Sequence, residues 1–170
     1  CSILIAIALG ACAPRARPVS EPGRLEPISA APDFAAPDET GKLRTLSEFR
    51  GRAVVLYFYP KDGTPGCTRE ACAFRDEWQR LNATGAQVLG VSLDSVESHA
   101  AFKAKHKLPF PLLSDADGRV LGAYGVPKSA KGYASRTTFI IDSQCIIRRI
   151  FPEVDPAVHV RQVRDVIGHL

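Results

Sequence analysis

The chain has 170 residues, 45% hydrophobic and 24% charged, which suits one globular domain with a sizeable core and leaves no room for a second. Its 22 basic and 18 acidic residues give a net charge of +4. No run of like charge forms a nucleic-acid footprint, so the excess is read as ordinary solvated surface and no nucleic-acid partner is expected.

Ser2 to Ala11 (SILIAIALGA) is a charge-free apolar run. It is too short to cross a bilayer, which takes about 20 residues, but it suits the h-region of a secretory signal, and residues 1–11 are assigned to one. The run ends in Leu9-Gly10-Ala11-Cys12, which resembles the lipobox of bacterial lipoproteins and makes Cys12 a candidate lipidation site. The expectation is a periplasm-facing lipoprotein of the bacterial cell envelope; the alternative is an apolar tail on a cytoplasmic protein. Residues 12–31, rich in Pro, Ala, Arg, Ser and Glu, cannot bury enough apolar surface to order themselves and read as a semi-rigid tether. The folded domain is expected over residues 32–170.

Within it, Phe34 opens the core, and Leu43, Leu46 and Phe49 around Asp38-Glu39-Thr40-Gly41 predict a short hairpin and one helical turn before Gly51. Ala53 to Tyr59 (AVVLYFY) reads as a central strand closed by Pro60, which cannot donate to a ladder. Ala71, Phe74, Trp78 and Leu81 recur at helical spacing and predict one helix from Cys67 to Gly85. Gln87 to Leu93 is a second apolar strand, so strand, helix and strand form a right-handed crossover with parallel pairing. Asp94 or Ser95 caps a helix through about Lys107. Leu112 to Leu113 reads as a short strand, Gly118 to Tyr124 as a short helix, and Thr137 to Ile141 as a buried strand. Ile146 to Phe151 is its hairpin partner across Asp142-Ser143-Gln144-Cys145. A final helix from about Pro156 to Leu170 buries Val160, Val163 and Ile167. The pattern is that of an α/β sandwich with a central mixed sheet flanked by helices. His99, His106, His159 and His169 are scattered and are expected at the surface.

The chemistry concentrates in Tyr57 to Asp76, YFYPKDGTPGCTREACAFRD. Gly63, Pro65 and Gly66 punctuate a loop after the central strand, and Cys67 falls in the first turn of the helix that follows. Unsatisfied N–H groups and the positive dipole end at that position favour the thiolate, the reactive form of cysteine. Thr64 can turn its hydroxyl toward the sulfur, while Pro60 and Pro65 restrict the backbone and shield it from bulk water. A small buried hydrophobe is the competing reading for Cys67, and a simple core position for Cys72. If both cysteines are helical, their Cα atoms lie roughly 8 to 9 Å apart on different faces. A disulfide needs less than about 7 Å, so the two can join only if the start of the helix unwinds.

Pro60, Thr64 and Cys67 match the Pro-x-x-x-Thr-x-x-Cys signature of peroxiredoxins, and Cys72, five residues on in GCTREAC, resembles the Q subfamily, the bacterioferritin comigratory proteins. The likeness runs from about Pro32 to the C-terminus and includes SRTTFIID, whose Arg136 matches the family's active-site arginine. The resemblance implies a thioredoxin-like α/β sandwich and a thiol-dependent peroxidase for hydrogen peroxide and alkyl hydroperoxides. It makes Cys67 the peroxidatic cysteine and Cys72 the resolving one, joined afterwards in an intramolecular disulfide that a thioredoxin-like protein reduces. Thr64 and Arg136 would hold the thiolate and the peroxide oxygens. No cofactor or metal is implied, and a monomer is expected.

Two other readings compete. A membrane-tethered thiol–disulfide oxidoreductase would want two residues between its cysteines, where this chain has four. A thioredoxin-like copper-binding module would want three, with a late histidine nearby. Cys145, in a hairpin turn, is read as an incidental thiol.

Overall fold

Five consecutive residues, Val54–Phe58, are apolar or aromatic and all buried, and they form the strand on which the other elements are laid. The computed structural model describes residues 29–170. Its elements are β1 (Ser29–Ala30), β2 (Ala35–Pro37), β3 (Leu43–Thr45), a 3-10 turn (Leu46–Phe49), β4 (Val54–Phe58), α1 (Pro65–Asp76), α2 (Trp78–Ala83), β5 (Gln87–Ser92), α3 (Val96–His106), β6 (Leu112–Ser114), α4 (Arg119–Ala123), β7 (Thr137–Ile141), β8 (Ile146–Pro152) and α5 (His159–Ile167). The apolar run at 1–11, the candidate lipidation site Cys12 and the tether up to residue 28 lie outside the described residues.

The main sheet has the order β1-β8-β7-β4-β5-β6, and β2 and β3 form a separate hairpin. β4 is parallel to β5, as the crossover predicts, and antiparallel to β7, so the sheet is mixed. Ser29 and Ala30 pair with Ile147 and Ile146, so ordered sheet begins inside the segment read as tether, ahead of Pro32.

Successive strand side chains point to opposite faces. Val54, Leu56 and Phe58 therefore join Phe139 and Tyr124 in one core, while Val55, Tyr57 and Tyr59 join Phe74 and Ile140 in the other. The second core is covered by Ala71 and Phe74 of α1, Phe102 of α3, and Val160, Val163 and Ile167 of α5.

Three expectations change. The helix after Cys67 is two helices, because Glu77 leaves helical geometry (φ −90°, ψ 0°) and Trp78 turns toward Phe110, 5.9 Å between ring centres. The last helix begins only at His159, after Asp155 accepts a turn from Val158. His99 and His159 are fully buried instead of exposed. Hydrogen bonds make this burial tolerable: His99 reaches Asp62 Oδ2 (2.8 Å) and the Leu113 carbonyl (3.1 Å), and His159 Nε2 reaches the Thr138 hydroxyl (2.8 Å), while His159 Nδ1 has no partner among the described residues.

Candidate active site

β4 ends at Phe58, and Pro60 carries the chain into a loop that turns at Gly63, whose φ of +71° suits a residue without a Cβ. Thr64 is the N-cap of α1 and Pro65 its first residue, where a missing N–H costs nothing. Cys67 is thereby delivered to the first turn, 2% exposed and with a free thiol.

Arg136 comes from far along the chain but immediately precedes β7, whose Thr137 lies opposite Phe58 at the end of β4. That register brings the guanidinium over the helix start. Its Nη2 donates to Cys67 Sγ at 3.1 Å and its Nη1 to Glu70 Oε2 at 2.6 Å. The two bonds fix the fork in one orientation and place a permanent positive charge on the sulfur. Gly66 makes the approach possible, since a Cβ there would lie 2.8 Å from Arg136 Nη2.

Glu70 is fully buried, and its Oε1 has no partner among the described residues. Burial pushes its carboxyl up to about 7, against the pull of Arg136. No motif in the sequence singles out Glu70, although a residue three positions after Cys67 lies on the same helical face. Beneath the site Tyr57 stacks on Phe74 at 4.8 Å, and Gly90 leaves the room its ring tip needs.

The loop is anchored through Asp62, which accepts from Tyr59 Oη (2.8 Å) and Ser98 Oγ (2.8 Å) as well as pairing with His99. Burial works against that carboxylate, but the bonds from His99, Tyr59 and Ser98 outweigh it and hold its pKa below the ordinary value. Thr64 does not turn to the sulfur; its hydroxyl donates to the Lys61 carbonyl at 3.1 Å and closes the loop on itself. Pro60 sits half-buried at the head of that loop.

Cys72 is half-buried farther along the same unbroken α1, a free thiol with Sγ 3.9 Å from His106 Nδ1. Cys145 follows β7 whereas Arg136 precedes it, so five strand residues, about 17 Å, separate it from the site. No cluster of three or more His, Cys, Asp or Glu able to hold a metal ion occurs among the described residues.

A buried cysteine at a helix start, with an arginine on its sulfur and a second thiol in the same helix, defines a thiol-dependent redox enzyme on a thioredoxin-like sheet. Residues 28–150 match the AhpC/TSA family, and the chain belongs to that family. It is 48% identical over 140 residues to a putative peroxiredoxin bcp of Coxiella burnetii, covering 78% of this chain and 92% of that protein. It is 41% identical over 163 residues to the chloroplastic peroxiredoxin Q of Triticum aestivum, covering 93% of this chain and 75% of that one. Among solved structures, the peroxidoxin BcpB of Mycobacterium tuberculosis superposes with a TM-score of 0.80 at 34% identity, covering 86% of this chain and 99% of that one. The bacterioferritin comigratory protein of Xanthomonas campestris superposes with a TM-score of 0.76 at 32% identity, covering 80% and 90%. The protein is a Q-type peroxiredoxin with thiol peroxidase activity, and neither the thiol–disulfide oxidoreductase nor the copper-binding module is favoured.

Proposed function

We propose that Cys67 is the peroxidatic cysteine and Cys72 the resolving one. The observation that carries this is the Arg136 guanidinium 3.1 Å from Cys67 Sγ at the opening of α1. The thiolate attacks the nearer oxygen of a hydroperoxide; the O–O bond breaks, and the departing oxygen takes a proton to leave as water or alcohol. Arg136 and the free N–H groups of the first turn meet the charge that develops on that oxygen. Cys67 is left as a sulfenic acid. Cys72 then attacks its sulfur, forming the disulfide and releasing water.

Helix geometry requires the first turns of α1 to unwind for that second step. Thr64 and Pro60 act through the loop, Thr64 by tying it to Lys61 and Pro60 by ending the strand. The substrates proposed are hydrogen peroxide and small alkyl hydroperoxides, in line with the alkyl peroxide reduction described for the Xanthomonas campestris relative. The reductant proposed is a thioredoxin-like protein, and the working unit a monomer. Leu9-Gly10-Ala11-Cys12 supports lipid attachment at Cys12 and a place in the cell envelope.

Intact mass of the isolated protein before and after one equivalent of peroxide tests these assignments together. Lipid appears as a gain at Cys12, and the disulfide as a loss of two hydrogens. Cys67→Ser abolishes peroxide consumption, and Cys72→Ser stops at the sulfenic acid after one turnover. Sustained cycling by Cys72→Ser would remove its resolving role.

A further inference from the structure

Cys72 is not alone on its side of α1. His106, the last residue of α3, places Nδ1 3.9 Å from Cys72 Sγ. Two contacts fix the histidine there: Arg75 Nη1 donates to the His106 carbonyl at 2.9 Å, tying the end of α3 to α1, and Phe102 packs edge-on against the imidazole, 5.0 Å between centres. The ring also stands at a helix C-terminus, where a positive charge is favoured.

The geometry points to His106 as the base that removes the Cys72 proton before resolution, an inference that rests on Cys72 being the resolving cysteine. The Cys72 S–H bond breaks and the proton passes to Nδ1, which requires the tautomer protonated at Nε2. The thiolate attacks the sulfenic sulfur of Cys67, the S–S bond forms and the S–O bond breaks. The hydroxide released takes a proton from solvent to become water, and the imidazolium gives its own back to solvent.

The charged groups around the pair suit this transfer. On α1, Arg75 is held by Asp76 at 2.9 Å and adds positive charge beside the sulfur. On α3 the last turn carries Lys103, paired with Glu39, and Lys105. His106 is the base that the hydrogen bonds of the described residues bring to the Cys72 sulfur.

The test times the two steps separately in the full chain. Reduced protein is mixed with one equivalent of hydrogen peroxide, quenched in acid and weighed, so that gain of one oxygen and loss of two hydrogens are followed independently. His106→Gln keeps a polar side chain but no base. At pH 7 it slows disulfide formation relative to sulfenic acid formation about ten- to thirtyfold, because only about 3% of a free thiol of pKa about 8.5 is ionised there without a base. At pH 9.5, above the pKa of about 8.5 of a free thiol, the deficit disappears. Equal rates at pH 7 would overturn the assignment. So would a deficit of the same size at both pH values, which reports a displaced helix and not a missing base.

A second readout needs no resolution step. In Cys67→Ser protein, iodoacetamide modification of Cys72 at pH 7, read by peptide mass with Cys145 as internal reference, slows when His106→Gln is added. Unaltered modification overturns the role of His106, whereas a disulfide still formed by Cys72→Ser protein overturns the resolving role of Cys72 instead.

Discussion

At the scale of single residues, the site turns on how closely a guanidinium can approach a sulfur. Gly66 sets that distance, because a methyl group there would meet Arg136 Nη2 at 2.8 Å while Glu70 holds the other arm of the fork. Gly66→Ala is expected to push the guanidinium off Cys67 and slow sulfenic acid formation at least tenfold. The urea midpoint of the fold should stay the same or rise, since alanine is better than glycine in a helix by about 1 kcal/mol. Loss of activity together with a lower midpoint would mean the helix itself is disturbed. Arg136→Met removes the charge outright, and a fall of about a hundred- to a thousandfold in the same step is expected from the loss of one donor to the departing oxygen. Cys67 and Arg136 are legible in the sequence because their family pattern is local. Glu70 reads as a surface acid until Arg136, 66 residues on, is laid over it by the pairing of β4 with β7.

Among elements, the loop before α1 depends on α3. Asp62 and His99 lie 37 residues apart and meet at 2.8 Å in a site closed to solvent, with Tyr59 and Ser98 completing the carboxylate's bonds. His99→Phe leaves Asp62 buried without its main partner and is expected to cost about 3–5 kcal/mol in urea unfolding. A cost below 1 kcal/mol would show that the pair does not anchor the loop. Helix α1 contrasts with this clamp, since Glu70 brings a buried oxygen without a partner into its first turns. Such an atom costs about 1–3 kcal/mol, a standing bias toward the unwinding that the proposed Cys67–Cys72 disulfide would need. The strands β4, β5 and β7 are readable from sequence because every residue in them is buried, which makes β4 an unbroken apolar run and gives β5 and β7 apolar stretches with polar residues only toward their ends. The histidines are misread for the converse reason. A polar ring looks like surface wherever its partners, here Asp62, the Leu113 carbonyl and Thr138, are distant in the chain. The break at Glu77 is likewise invisible, because Trp78 and Leu81 keep helical spacing across it.

For the whole molecule, two buried groups set opposite slopes of stability against pH. Burial pushes His159 down to about 4 from 6.5, so its contribution is present above pH 6.5 and is lost as pH falls toward 4. Glu70 is pushed up to about 7 from 4.5, so its contribution is present below pH 4.5 and is lost as pH rises toward 7. Each amounts to about 3 kcal/mol at 1.36 kcal/mol per pH unit, and between about pH 4.5 and 6.5 they cancel. The urea midpoint of the unchanged protein should be nearly level across that window. It should climb with pH in Glu70→Gln and fall in His159→Gln; parallel profiles in all three would refute the balance. A last consequence follows from where Phe74 sits, two residues past Cys72, fully enclosed with Tyr57 and Phe110 about its ring. If Cys72 is drawn across to Cys67 as proposed, that ring must leave its seat, and the oxidised and reduced chains would differ in exposed apolar surface as well as in sulfur bonding. A dye such as anilinonaphthalene sulfonate should brighten on the oxidised chain and dim on reduction, while equal brightness would mean the ring stays seated. Such a ring would offer a protein reductant an apolar landmark present only on the oxidised chain.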